Sequence, residues 1–599
     1  MSKYDDLPRE QLIELLKKRD RTKKLGLVWE RDEIEADNAV DANFVAATII
    51  PDLSDKLAPW RNMVIEGDNY DALRWLRMTM AGQIKCIYID PPYNTGAKDW
   101  VYNDHYANPE DAYFHSTWLE FLFRRLTLAR DLLAEDGVIL VSINDEQRAK
   151  MELLLDEVLP GMRVGSFVWR TKDSSNDAER NYSSVHEHVL AYAKSGFSFL
   201  GYKLDDKKYK HDDNDGRGRY SLDPITKAHD YTERGNTYYP IQDPATGWWY
   251  PCNPDSVWRF ATKDRLKDGQ KLRTKTIEDL IEDRRIHFSG KSFFEFQSKA
   301  ELRDAIIEKR GPVDGNGRQL LRLDLPDLDF WVGKKIADGR PSQKAYWNEK
   351  DVTIKPVSSF ILGAKDAVTS EYFELVSEKQ GKATGVIQDI FGRRAFQNAK
   401  PVSLVKSLLI AAASEDATVL DFFAGSATTA HAVMELNAED GGDRHFIMVS
   451  STEATADDPD KNLCRDVTAE RIRRLNASED QKFAELSADF AYLRCREIEF
   501  EDLDQDLAPA EVWAALETLH RLPMTRYTQA LWQEHKTEQQ TLIFADRVRT
   551  ELLDHLRGVV DRRENAFVYA WAPGQITAVL GDALDVRSVR TELVGRFRQ

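Results

Sequence analysis

Asp90, Pro91, Pro92 and Tyr93 stand together at the end of a short apolar run, Ile87-Tyr88-Ile89. Each contributes to one kind of recognition. The Asp90 carboxylate accepts hydrogen bonds, the consecutive prolines fix the backbone and present only carbonyl acceptors, and Tyr93 offers an aromatic face. Two acceptors beside a stacking platform suit a flat heterocycle carrying an exocyclic amine. Asp90 and a proline carbonyl would take the two amine protons while Tyr93 covers the ring. The bland alternative is an ordinary strand-to-loop turn, and four residues alone do not separate the two.

A second constellation lies more than three hundred residues on. Thr418-Val419-Leu420 reads as a buried strand ending in Asp421; Phe422-Phe423-Ala424-Gly425-Ser426-Ala427 makes a tight turn, and a helix runs from Thr428 to Leu436, capped by Ser and Thr. The next strand, His445 to Val449, leads through Ser450-Ser451-Thr452 to Glu453, an acid placed to accept a ribose hydroxyl bond. No Gly-x-Gly-x-x-Gly and no glycine-rich loop with a lysine occurs, which argues against NAD or ATP.

These acids need a rigid edge to stand on. A strand at Asn62–Asp68, a helix at Asp71–Met80 and a strand at Lys85–Ile89 form a βαβ unit. A long helix at 115–134 and strands at Gly137–Ile143, Val164–Trp169 and Val189–Ala193 follow. Continuous apolar strands imply a parallel or mixed sheet covered on both faces, with ligands at the carboxyl ends of its strands.

The chain has 599 residues and a net charge of −18. That length exceeds one core, and that charge opposes non-specific binding of polyanions over the whole surface. A nucleic-acid binder so composed must concentrate its Lys and Arg in one cleft. No apolar run reaches membrane-spanning length and no signal-peptide core follows Met1, so a cytoplasmic protein with no membrane partner is expected. Cys86, Cys252, Cys464 and Cys495 are scattered singly, so no metal site is expected from them. Residues 7–19 space their apolar positions for a helix, followed by the basic cluster 17–24; residues 31–61 read as a connecting arm. From about 195 to 385 periodicity gives way to mixed charged and aromatic residues, whose simplest use is to fill an irregular core. Helices (Ala510–Leu519, Asp546–Leu556) and strands (Thr541–Ala545, Ala566–Trp571) mark the tail as a small α/β appendage.

Taken together, these stretches resemble the DNA amino-methyltransferases of the β class, in which the catalytic motif comes first, a long insertion next and the cofactor motif last. Asp90-Pro91-Pro92-Tyr93 looks like the catalytic motif and Asp421 to Ser426 like the cofactor loop. Phe396-Gln397-Asn398-Ala399-Lys400-Pro401 is similar to a further cofactor-side motif. More narrowly, the chain resembles the modification (Mod) subunit of type III restriction-modification systems, through Gly26 to Glu30, Gly67-Asp68-Asn69, Ser142 to Asp145, His186-Glu187-His188 and the run from Lys400 to Asn437. Ala427 departs from the usual glycine, and Ser450-Ser451-Thr452 is an unusual approach to Glu453.

The resemblance implies a circularly permuted, Rossmann-like, doubly wound methyltransferase sheet that uses S-adenosyl-L-methionine. It divides the chain into an N-terminal helix and arm (1–61), a catalytic half (62–195), a target-recognition insertion (196–385), a cofactor-binding half (386–480) and the appendage (481–599). Strands 418–423 and 445–449 should lie beside 62–67, with 85–89 next to 418–423. Asp90, Pro91, Pro92 and Tyr93 become catalytic. Asp68, Lys400, Pro401, Asp421, Phe422, Phe423, Ala424, Gly425, Ser426, Thr428 and Glu453 become cofactor-binding, and no metal is required. The implied activity is N6-adenine methylation of a specific duplex DNA sequence. Cytosine-N4 methylation and a non-catalytic specificity subunit are the alternatives. Duplex DNA, a second copy of the chain and a separate restriction helicase-nuclease subunit are the implied partners.

Overall fold

The computed structural model describes residues 43–94, 114–172, 183–203, 208–266, 272, 274–349, 354–363, 366, 373–454 and 458–598. The helix expected at 7–19 and its basic cluster lie outside them. The described residues up to 202 and from 356 onward form one compact unit, and those between 203 and 355 form another.

The first unit is built on an eleven-stranded mixed sheet. Its strands are β1 (Asn43–Ile49), β2 (Met63–Glu66), β3 (Ile84–Ile89), β4 (Leu133–Asn144), β5 (Arg163–Arg170), β6 (His186–Ala193), β7 (Val357–Gly363), β8 (Phe373–Ser377), β9 (Thr418–Asp421), β10 (His445–Ser450) and β11 (Ala491–Glu499). The order across the sheet is β1-β11-β2-β10-β9-β3-β4-β6-β5-β7-β8. From β11 to β4 every neighbouring pair is parallel. The order β2-β10-β9-β3 is the one the sequence reading anticipates.

The unbroken apolar character of these strands follows from cover on both faces. Ile65, Ile87, Ile89, Ile139, Leu420 and Ile447 point into one core, with Trp75 and Leu76 of α1 (Asn69–Met80) and Trp118 and Leu122 of α2 (Phe114–Leu132). Val64, Cys86, Tyr88, Leu140, Val419 and Met448 point into the other. There they meet Leu404, Val405 and Leu408 of a helix at Val402–Ala412 and Val433 of one at Thr428–Asp440.

Three expected boundaries move. Asn43–Ile49, read as part of an arm, is an edge strand paired antiparallel with β11. Strand β11 itself, assigned to the appendage, pairs with β2. Residues 357–363 and 373–377, assigned to the insertion, extend the other edge of the main sheet. In β11 the residues Arg494, Arg496 and Glu497 are exposed and interrupt the apolar run, so its strand signal is diluted.

The 203–355 unit contains small sheets, mostly antiparallel with one parallel pair, and an aromatic core of Tyr238, Tyr239, Tyr250, Trp258 and Phe260. Trp258 Nε1 donates to the Tyr239 carbonyl at 2.7 Å and the Tyr239 hydroxyl to that of Phe260 at 2.8 Å. These aromatics therefore hold their own fold. Near the C-terminus, strands 533–536, 541–545, 566–570 and 585–588 form a separate four-stranded sheet. All four cysteines are free thiols. No helix among the described residues is long and apolar enough to cross a membrane.

Candidate active site

Strands β3 and β9 run side by side in the same direction, with Ile87 opposite Leu420. Asp90, just past β3, and Asp421, the last residue of β9, therefore arrive at one edge of the sheet. The catalytic and cofactor motifs meet there.

Asp90 is held by Lys400, which stands just before Pro401, the N-cap of the helix at Val402–Ala412. Lys400 Nζ lies 2.9 Å from Oδ1 and 3.0 Å from Oδ2. Only the Oδ2 contact is aligned as a hydrogen bond, so Oδ1 is sealed from water without an aligned donor. The same ammonium lies 3.4 Å from Glu187 Oε2 and 4.7 Å from the centre of the Tyr93 ring, and the Tyr93 hydroxyl donates to Glu187 at 3.2 Å. Two carboxylates and an aromatic face thus enclose one cation. Burial pushes the Asp90 carboxyl above its ordinary range, while the Lys400 charge pulls the other way. For Lys400, burial opposes the charge and the two carboxylates outweigh it, so its pKa is raised.

The prolines are not equivalent. The Pro92 carbonyl already accepts a bond from Trp118 Nε1 at 2.8 Å, which leaves that of Pro91 as the better candidate acceptor.

Asp421 is buried on the same edge. Its Oδ1 accepts from the Phe423 amide at 3.0 Å and its Oδ2 from the Thr429 hydroxyl at 2.6 Å. Burial nevertheless pushes its carboxyl up to about 7. The loop after it is pinned from below. Arg471, fully buried, donates to the Ser426 carbonyl at 2.8 Å and to Thr428 Oγ1 at 3.2 Å, and Thr468 donates to the Gly425 carbonyl at 2.6 Å. Gly425 has φ +47°, and a Cβ there would meet the Phe396 ring at 2.9 Å, so only glycine lets the loop pass. Thr428 Oγ1 donates to the Lys400 carbonyl at 3.3 Å.

The expected hydroxyl cap on the helix at Thr428 is not made. Ala427 occupies the cap position with φ 59° and ψ 37°, and no side chain bonds the free amides. Ser426 and Thr428 lie 3.2 Å apart, hydroxyl to hydroxyl, and serve the loop instead.

The remaining candidates are dispersed around this edge. The Ala424 amide donates to Val449 at 3.0 Å, and the Phe422 carbonyl accepts from Asn69 Nδ2 at 3.0 Å. Phe423 packs with Phe422 and with Phe121, at ring separations of 5.2 and 6.1 Å. Asp68 caps α1 by accepting from the Tyr70 amide at 2.7 Å and pairs with Arg125 at 2.8 Å. Glu453 sits beyond the end of β10 in a left-handed conformation, φ 50°, and pairs with Lys461 at 2.8 Å.

Glu187, Trp118, Asn69, Arg125 and Arg471 were not among the sequence candidates. Glu187 had a signal, as an acid inside a buried strand. Arg471 had none, because an arginine in a basic helix reads as solvated.

The DNA methylase family (N6_N4_Mtase) matches residues 84–457, more than half of the chain. The chain belongs to that family. Among the relatives of this DNA methylase is the StyLTI Mod subunit, from a type III restriction-modification enzyme of Salmonella typhimurium. It is 30% identical over 445 residues, 69% of this chain and 57% of the relative. The EcoP15I Mod subunit of Escherichia coli is 27% identical over 465 residues, 71% and 64% of the two chains. The type II methyltransferase M.KpnI of Klebsiella pneumoniae is 29% identical over 393 residues, 64% and 79%. The alignments thus span less than two thirds of the two Mod subunits. Within the DNA methylase match fall Asp90, Glu187, Lys400 and Asp421, while Asp68, Asn69 and Arg471 lie outside it.

Proposed function

We propose that this chain methylates the N6 amine of adenine within a specific duplex DNA sequence, using S-adenosyl-L-methionine, as the modification subunit of a type III restriction-modification system. The observation that carries the reading is the Lys400 junction. Its side chain holds Asp90 and its carbonyl holds Thr428, so an acceptor carboxylate and a buried strand-end acid share one crevice.

The donor set suits the cofactor. Asp421 is a buried carboxyl able to face an ammonium, Gly425 lets the loop pass closely under Phe396, and Phe423 presents an aromatic ring. Bound there, the cofactor supplies an electrophilic methyl group. Glu453 and Asp68 are the proposed ribose-hydroxyl and adenine-side contacts, reached when their present partners Lys461 and Arg125 yield.

The rest is done by the chain's own groups on the substrate base. A base inside a duplex is out of reach, so it must be flipped out at about a few kcal/mol. Tyr93 then covers its face while Asp90 and the Pro91 carbonyl accept from its amine, drawing the nitrogen lone pair out of ring conjugation. The rate comes from alignment and charge placement. In the methyltransferases this chain resembles, an aspartate opening the motif goes with adenine rather than cytosine as acceptor.

The strand order β2-β10-β9-β3, with the β3 acid before the β9 acid in sequence, supports a permuted methyltransferase order. The 203–355 unit is proposed to read the DNA sequence. Action in the cytoplasm, pairing with a second copy and service to a separate restriction subunit belong to the same reading. Incubating DNA with labelled cofactor and separating the nucleosides tests it. N6-methyladenine is expected, and Asp90→Ala should reduce it at least about 100-fold while cofactor binding survives. N4-methylcytosine, or no transfer by the unaltered chain, overturns the proposal.

A further inference from the structure

Successive residues of a strand face opposite ways, so β6 has two functional sides. Glu187 turns towards Lys400 and Tyr93. His186 and His188 turn the other way, where Asp145, the residue after the end of β4, meets both. His188 Nε2 is 3.2 Å from Asp145 Oδ1, and His186 Nε2 is 3.8 Å from the same oxygen. One potential ligand atom from each of the three residues lies within 4.8 Å of the others.

We propose that Asp145, His186 and His188 bind one first-row divalent cation, with Zn²⁺ as the reference ion, on the face of β6 opposite the methylation site. Bonds of about 2.0–2.1 Å in a tetrahedral site set neighbouring ligand atoms about 3.3 Å apart. The His188–Asp145 pair already has that spacing, His186 lies roughly half an ångström too far from Asp145, and the two imidazoles, with ring centres 5.0 Å apart, must close on one another by a rotamer adjustment. Two imidazoles and one carboxylate are a donor set for zinc and its neighbours rather than for calcium or magnesium.

The surroundings suit this role. His188 is buried, whereas His186 and Asp145 keep access to solvent, which gives an entry path and an open fourth position for water. Ser166 Oγ lies 3.4 Å from His188 Nδ1, and a hydroxyl there accepts when Nε2 is given to a metal and donates when it is not. Coordination requires the neutral His188 ring, and Arg148 is the nearby cation. Arg148 is itself paired with Glu152 at 2.9 Å. The rival account is a purely hydrogen-bonded cluster that steadies the start of the following helix.

The test uses the untagged full-length chain, stripped with a chelator and titrated with Zn²⁺ against a chromophoric competitor. One ion per chain with micromolar or tighter affinity is expected. Co²⁺ in its place should give the visible absorption of a four- or five-coordinate site with nitrogen ligands. His186→Ala, at a partly exposed position, should weaken binding at least about tenfold without changing the fold, and the His186→Ala/His188→Ala pair at least about a hundredfold. Retained circular dichroism with lost metal binding in His186→Ala supports the site. Absence of stoichiometric binding, a six-coordinate cobalt spectrum, or affinity unchanged by both substitutions overturns it. None of these readouts depends on methyl transfer.

Discussion

Lys400 caps the carboxylate of Asp90 from 310 positions further along the chain, with Nζ 2.9 Å from one oxygen and 3.0 Å from the other. The ammonium sits where the amine of a flipped base is proposed to sit, 4.7 Å from the Tyr93 ring centre. An incoming base must therefore share the carboxylate with Lys400 or displace it.

Lys400→Met removes the cation that offsets burial of Asp90. The Asp90 carboxyl already titrates above its ordinary range, and without Lys400 it rises further. Because the ionised form accepts the amine bond, the acid limb of the kcat/KM profile should move up by about one pH unit. Lys400→Arg should keep most of the limb in place. An unmoved limb in the methionine variant would show that Lys400 does not set the charge of Asp90.

Asp421 has a native pKa of about 7 against an ordinary value of 3.8. The shift is upward, so its contribution to stability is complete below 3.8 and is lost as pH rises through 7. Asp421→Asn does not titrate and can keep both hydrogen-bonded neighbours. Its stability relative to the parent should rise across that window, by on the order of 2–4 kcal/mol in all, while cofactor binding falls. Urea unfolding at pH 4 and pH 8 measures the difference.

Ala427 holds φ 59° and ψ 37°, where an L-residue with a Cβ is strained. Ala427→Gly relieves that strain but loosens the unfolded chain and removes a buried methyl, so stability should change by less than about 1 kcal/mol. Ala427→Val places a β-branched residue in the same conformation and should cost more than about 2 kcal/mol. Thermal denaturation of the two variants separates the cases, and an equal, small effect from both would mean the loop rearranges freely.

Glu66 ends β2 in a buried network, accepting from Arg494 Nε at 2.6 Å, Asn462 Nδ2 at 2.9 Å and the Tyr492 hydroxyl. Burial alone would raise its carboxyl, and these bonds outweigh it, so the pKa is lowered from 4.5. Its stabilisation is thus present above 4.5 and lost as pH falls through the native value. Glu66→Gln should cost about 1–3 kcal/mol at neutral pH, with the gap closing below pH 4. Denaturant titrations across pH 3–7 follow that closure.

The sequence by itself determined the central strands, the acids at their ends and the family. Each rests on a local pattern: continuous apolar runs such as Ile87 to Ile89, short turns after Asp90 and Asp421, and a helix start at Thr428. Tertiary structure decided what those acids touch. Lys400 was legible as part of a motif, but its pairing with Asp90 depends on β9 lying beside β3, and Glu187 joins them only because β6 runs next to β4. The strands at 43–49 and 491–499 were hidden for a related reason: the first is a short apolar stretch beside an acidic segment, the second is broken by exposed charges, and their assignment to the sheet comes from pairing with each other and with β2. Strand and turn propensities act over a few residues, whereas an ion pair between positions 310 apart exists only once the sheet has put its strands in order.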